Sequence, residues 1–150
     1  MLFPSPPQVI DPRDWPEMEL LAATVLLEAE GEGPDGRLAV AWVVRHRMDR
    51  RHLGIAEVVT QPWQFSCWND DYVGMRKARL RAPDPDMWED CWRAACGAYW
   101  RILDDPTGGA DHYLNEALTR SQRGGSLPGW YDARRVTARI AQHTFLKLYS

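Results

Sequence analysis

Residues 20–44 read LLAATVLLEAEGEGPDGRLAVAWVV, two apolar runs separated by an acidic, glycine-punctuated knot. The first run, Leu20 to Leu27, is apolar on nearly every side and made of good helix formers, so it predicts a buried helix. Leu38 to Val44 reads the same way. Between them Glu28, Glu30 and Glu32 put three carboxylates within five residues. Glu28 lies four residues after Thr24 and three after Val25, still on the helix, and so should stand at the edge of the core. There it would meet the negative end of a helix dipole, Glu32 as a like charge, and a dry flank. These conditions favour the neutral form of a carboxyl, as a general acid requires. A solvated acidic turn closing a helix is the alternative reading of this stretch alone.

A chain of 150 residues, 45% of them hydrophobic, suits one globular domain with a sizeable core. A net charge of −3 with no basic cluster gives no general attraction to nucleic acid or to an anionic membrane. Eight tryptophans is a high count, and flat indole rings suit both core packing and stacking on sugars. The three cysteines, Cys67, Cys91 and Cys96, cannot all pair internally. Cys91 and Cys96, five apart on a predicted helix, point about 140° apart, so no disulfide is expected. No His/Cys spacing resembles a zinc site, and no metal or cofactor is expected. The apolar runs are too short to span a bilayer, and residues 1–16 lack a charged n-region followed by an apolar h-region.

In chain order, residues 1–16 read as a proline-rich extended arm and 17–150 as a single catalytic domain. Asp14 and Glu17 have capping-box spacing for a helix running to about Glu30. A second helix starts at Pro34 or Asp35 and runs to about Arg50, and a short one covers Ile55 to Thr60. Residues 61–70 read as a loop carrying aromatic rings beside small polar groups, and 71–85 as a mobile connection. Asp86 and Glu89 suggest another capping box, opening an amphipathic helix whose apolar face runs from Met87 through Trp88, Cys91, Trp92 and Ala95 to Ile102 and Leu103. His112 to Asn115 reads as a strand fragment, 116–131 as polar and glycine-rich, and 136–149 as a hairpin turning at Ala141-Gln142. The predicted class is α+β: three substantial helices with a small antiparallel β-element.

Taken together, these blocks resemble the catalytic domain of cell wall hydrolases of the SleB/CwlJ type, the spore cortex-lytic enzymes. Leu27-Glu28-Ala29-Glu30-Gly31-Glu32-Gly33 with Gly36 and Arg47 is similar to the family's Gly-Glu-Ala-Arg-Gly-Glu knot and the helix after it. Gln64-Phe65-Ser66, Asp105 to Ala110 with His112-Tyr113, and Arg139 to Phe145 match its later blocks. The chain departs from the pattern at Leu27 for glycine, Glu30 for arginine, His46 for asparagine and Ala141 for glycine. Glu30 should favour the neutral form of Glu28 further.

The resemblance implies a lysozyme-like fold and cleavage of peptidoglycan between N-acetylmuramic acid and N-acetylglucosamine, with Glu28 as the catalytic acid. Glycoside cleavage needs one carboxyl to protonate the leaving oxygen, and a hydrolase needs a second. Glu32 is the candidate for that slot. Without it, Glu28 would serve as acid and base of a lytic transglycosylase, the expected route. Gln64 and Ser66 are candidates for binding N-acetyl groups, and Tyr113 for orienting Glu28 or the oxocarbenium region. Phe65 and Asn115 join them as substrate-binding candidates, and His143 is either a ligand group or a buried structural histidine. Trp63, Trp68 and Trp130 are stacking candidates, with core packing expected for Trp42, Trp88 and Trp92. The rival functions are an N-acetylmuramoyl-L-alanine amidase, a muramidase using both glutamates, and a glycan-binding module without activity. The chain is expected to act as a monomer on glycan strands. With no export signal legible, a route to the wall like that of a phage endolysin is expected.

Overall fold

The computed structural model describes residues 11–61 and 65–149. Six α-helices occur there: α1 (Glu17–Ala29), α2 (Gly33–Arg51), α3 (Ile55–Val59), α4 (Val73–Arg81), α5 (Pro85–Tyr99) and α6 (Glu116–Gln122). Three strands, β1 (His112–Leu114), β2 (Val136–Ile140) and β3 (His143–Leu146), form an antiparallel sheet in the order β1-β3-β2. The architecture is the α+β arrangement expected from the sequence. No helix among the described residues is long and apolar enough to cross a membrane.

The centre of the molecule is α1 packed between α2 and α5. Leu20 to Leu27 are all buried, so this helix is apolar all round because it has neighbours all round. Thr24, the one polar residue in that run, is satisfied: its hydroxyl donates to Leu20 O and accepts from Trp68 Nε1. At the far side β3 is wholly buried and clamped between the other two strands, while β2 alternates between half-buried and exposed residues. The hairpin turns at Ala141-Gln142 as expected, with Ala141 at φ +51. This left-handed position is normally glycine's, and costs an alanine roughly 1 kcal/mol.

Several local expectations are corrected. Asp14 does not cap α1; it ends a 3-10 turn (Pro12–Asp14), and Pro16 occupies the cap without a side-chain bond. A residue before proline is held out of the helical region, so Trp15 could not be a first helical residue behind an Asp14 cap. Likewise the cap of α5 is Asp84, whose carboxylate accepts from Met87 N, with Pro85 opening the helix. α5 stops at Tyr99, before the apolar pattern does. Arg101 turns left-handed, and both Ile102 N and Leu103 N close onto Gly97 O. A Cβ on Gly97 would lie 2.6 Å from Leu103 Cδ1, so glycine there lets the chain fold back. Residues 71–85, expected to be a mobile connection, contain α4, and the polar 116–131 segment contains α6. α4 was hidden because its buried face is arginine as well as leucine: Arg76 and Leu80 are each 5% exposed. The arginine donates to Cys67 O and Asn69 O. Of the proposed N-terminal arm, residues 1–10 lie outside the described residues.

Candidate active site

Glu28 stands on the last turn of α1, half-buried, where the sequence placed it. The Tyr113 hydroxyl, on β1, donates to its Oε2 at 3.1 Å. Oε1 is buried and meets no nitrogen or oxygen donor among the described residues. The neighbouring polar group is the Cys67 thiol, from the 3-10 turn Ser66–Trp68. Burial first, then the negative charge of Glu28 and a hydrogen bond to its carboxylate, push that thiol well above its usual pKa, so it stays protonated. Burial and then the charge of Glu28 also raise the Tyr113 phenol well above its ordinary value, which keeps it a donor toward Glu28. A half-buried carboxyl held by a phenol and lying beside a protonated thiol has the surroundings of a group that can exchange a proton.

Tyr113 is held by its surroundings. Its ring packs against His143, Phe65 and Phe145, with centroids 4.8, 6.2 and 5.8 Å away. The strand carrying it is anchored one residue earlier. Fully buried Asp111 accepts from Arg50, His112, Leu148 N and Tyr149 N. Burial works against the Asp111 anion, yet these bonds outweigh it and bring the pKa down to about 2. Asp105 does the same for the preceding loop, bonding His46, the Thr107 hydroxyl and N–H, and Gly109 N. The stretch from Asp105 to His112 is therefore an anchor that ties β1 to α2.

Glu32 is placed differently. It closes a 3-10 turn (Glu30–Glu32), and its Oε2 accepts from Gln142 N at 3.1 Å, at the tip of the β2–β3 hairpin. Its Oε1 lies 3.4 Å from His143 Nε2. Two glycines permit this. Gly33 adopts φ +76, and a Cβ on Gly36 would sit 2.6 Å from Glu32 Cβ. Burial lowers the pKa of His143, opposed in part by Glu32 and then Glu28, so the ring is neutral near pH 7. Glu30 bonds Arg79 of α4, so the acidic residue at the arginine position of the knot is itself paired.

The fold thus brings Glu28, Glu32, Tyr113 and His143 together. Phe65 joins them only as core: it is 2% exposed and lies beneath the Arg47 guanidinium. Trp68 is corrected from stacking platform to core residue, its ring edge-on to Trp15 and its N–H spent on Thr24. Trp42 and Trp88 are buried as expected, and Trp130 is exposed. Ser66 is exposed; Gln64 and Trp63 lie outside the described residues. Asn115 caps α6 and donates to Gln142, at one wall of an open cleft of about 520 Å³ that Glu116, Leu118, Arg139 and Thr144 also line. Sequence reasoning passed over Cys67, read as an apolar residue in a loop, and Arg79, in the segment read as a connection. The i, i+3, i+4 spacing of Arg76, Arg79 and Leu80 was the available signal. No group of three His, Cys, Asp or Glu side chains suited to a metal ion occurs among the described residues.

The family model described as cell wall hydrolase matches residues 31–146. A spore cortex-lytic enzyme of Halalkalibacterium halodurans is 30% identical over 131 residues, which are 86% of this chain and 34% of that protein. The chain therefore spans about a third of the length of this curated relative. Among solved structures, the catalytic domain of the Bacillus cereus SleB protein superposes with a TM-score of 0.64 at 25% identity, over 87% of this chain and 89% of that one. The catalytic domain of the germination-specific lytic transglycosylase SleB from Bacillus anthracis superposes with a TM-score of 0.63 at 24% identity, over 97% and 100%, a likeness of fold.

Proposed function

We propose, taking as premise that this chain belongs to the cell wall hydrolase family, that it cuts peptidoglycan glycan strands between N-acetylmuramic acid and N-acetylglucosamine as a lytic transglycosylase. One observation carries the reading. Of the two candidate carboxylates, Glu28 has an oxygen, Oε1, that meets no nitrogen or oxygen donor among the described residues, while both oxygens of Glu32 are engaged, by Gln142 N and His143. A hydrolase needs two working carboxyls, roughly 5–9.5 Å apart, one of them a nucleophile or the base for water. A transglycosylase needs one.

In this mechanism Glu28 gives its proton to the glycosidic oxygen as the bond to C1 of muramic acid breaks, and C1 takes on oxocarbenium character. The carboxylate so formed is the nearest base to the muramoyl 6-hydroxyl. It removes that proton while the oxygen attacks C1, closing a 1,6-anhydro ring and restoring the acid. The nucleophile is tethered to the reacting sugar, and well-oriented intramolecular attack reaches effective molarities of about 10⁵–10⁸ M. The Tyr113 hydroxyl, bonded to Oε2, keeps the carboxyl in one orientation through both proton transfers.

Mass spectrometry of digested peptidoglycan tests this. Products should end in 1,6-anhydro-N-acetylmuramic acid, one water lighter than a reducing end. Reducing muramic acid ends would assign a second carboxylate, Glu32 foremost, and make the enzyme a muramidase. Reducing N-acetylglucosamine ends would move the cut to the other linkage. Intact glycan strands with released stem peptides would mean an amidase, and no release at all a binding module.

A further inference from the structure

By its own sequence α1 ends unfavourably. Its last turn carries no basic residue, and its capping residue, Glu30, sets a negative charge at the negative end of the helix dipole. One side chain from another element meets both defects. Arg79 of α4 donates to Leu27 O and Leu26 O, each at 3.0 Å, and its Nη2 also lies 2.7 Å from Glu30 Oε2. The two carbonyls belong to the residues just before Glu28.

We propose that Arg79 is a positioning residue for Glu28: it clamps the helix turn that carries the acid and supplies a positive charge on that side of it, tempered by Glu30. The inference rests on Glu28 as the acid of the reaction. A guanidinium fork can hold two carbonyls and a carboxylate together, a geometry that a lysine point charge does not reproduce. At Cys67, beside Glu28, the charges of Arg76 and then Arg79 offset part of the upward push of burial and of the glutamate. Among the described residues, the other groups about Glu28 are Tyr113 from β1, His143 from β3, Glu32 from the turn and Cys67 itself, with the guanidiniums of Arg76 and Arg47 acting on Cys67 and Tyr113 in turn.

The test is a ¹³C titration of the glutamate carboxyls beside a pH–rate profile on peptidoglycan, the Glu28 signal being the one lost in Glu28→Gln. Arg79→Met should move the Glu28 midpoint up, the direction that loss of a neighbouring positive charge requires. Arg79→Lys should recover more than half of that shift. Glu30→Gln should move the midpoint down, and raised salt should shrink both displacements. The alkaline limb of the rate profile, which reports the acid, should follow in each variant. A lower melting temperature for Arg79→Met with an unmoved Glu28 midpoint would overturn the proposal and leave Arg79 a structural cap. A midpoint that moves while the limb stays would uphold Arg79 and remove Glu28 as the acid instead. Should Arg79→Met fail to fold, Glu30→Gln decides: no downward movement overturns the proposal.

Discussion

Glu28 and Glu32 are four residues apart, carry the same side chain and flank the same turn, yet the fold treats them as opposites. Glu28 rides a helix, accepts from one phenol, lies beside the Cys67 thiol, and has an oxygen that meets no nitrogen or oxygen donor among the described residues. Glu32 leaves the helical path and is drawn to a hairpin tip 110 residues further along the chain. Its carboxylate fastens the sheet to the end of α1. A hydrogen-bonded carboxylate at a junction contributes stability; one left without its full set of donors costs stability and is kept where chemistry needs it. The pair shows that what a carboxylate's oxygens are bonded to follows from the fold, and not from its neighbours in sequence.

The largest expected effect separates the two directly. Glu28→Gln should cut turnover at least about 10³-fold, the scale of a lost acid–base group, while the melting temperature stays within a degree or two. Turbidity clearance of bare peptidoglycan and a thermal melt measure both quantities. Near-native turnover in Glu28→Gln alongside a dead Glu32→Gln would invert the comparison. Next in size is Tyr113→Phe, which removes only the hydroxyl on Oε2. Turnover should fall roughly 10- to 100-fold with little change in KM, because the phenol orients the acid and not the substrate. An unchanged kcat would reduce Tyr113 to a packing residue.

Glu32→Gln should show the reverse balance, with turnover falling less than about tenfold and stability by about 1–2 kcal/mol. The loss comes from weakened charge-assisted bonding to Gln142 N and His143, and it corresponds to several degrees in a melt. A smaller effect concerns His143. Its pKa is lower in the folded state than the ordinary 6.5, so the unfolded chain binds more protons in the window between the two values. Stability should therefore rise with pH across that window and fall as pH drops from about 6.5 through the folded value. His143→Gln should flatten that slope in chemical denaturation between pH 5 and 7; an unchanged slope would assign the dependence to other groups. The smallest effect is on thiols. Cys67 and Cys91 are buried, and burial pushes Cys91 up to about 12, so native protein should react only at half-buried Cys96, and slowly there, because burial raises that thiol too. All three should react in denaturant without reductant, and a count of one there would mean a disulfide had formed.

The parts of this fold that were legible in the sequence are those made by near neighbours. The apolar runs of α1 and α2, the glycine-broken knot between them, the amphipathic face of α5 and the alternation around Ala141-Gln142 each follow from periodicity over a few residues. Glu28 could be singled out for the same reason, since its spacing from Thr24 and Val25 places it on the helix and at the core edge. The missed elements share a different cause. α4 buries Arg76 by satisfying it with the carbonyls of another segment, and no hydrophobic pattern marks such a helix. Trp68 looked like a sugar platform until the fold gave its N–H a partner on α1, 44 residues away in sequence.

What the sequence by itself determined is thus a set of helices, a hairpin and a carboxylate at the mouth of a buried helix, because helix propensity, turn chemistry and period act over one to four residues. How the oxygens of each carboxylate are bonded was decided only by the tertiary structure. That choice depends on Tyr113 arriving from 85 residues beyond Glu28, on Gln142 reaching Glu32, and on Arg79 folding back over the last turn of α1. Hydrogen bonds across such separations exist only once the core has closed, since packing the helices and sheet together offsets the chain entropy lost in bringing the partners to one place.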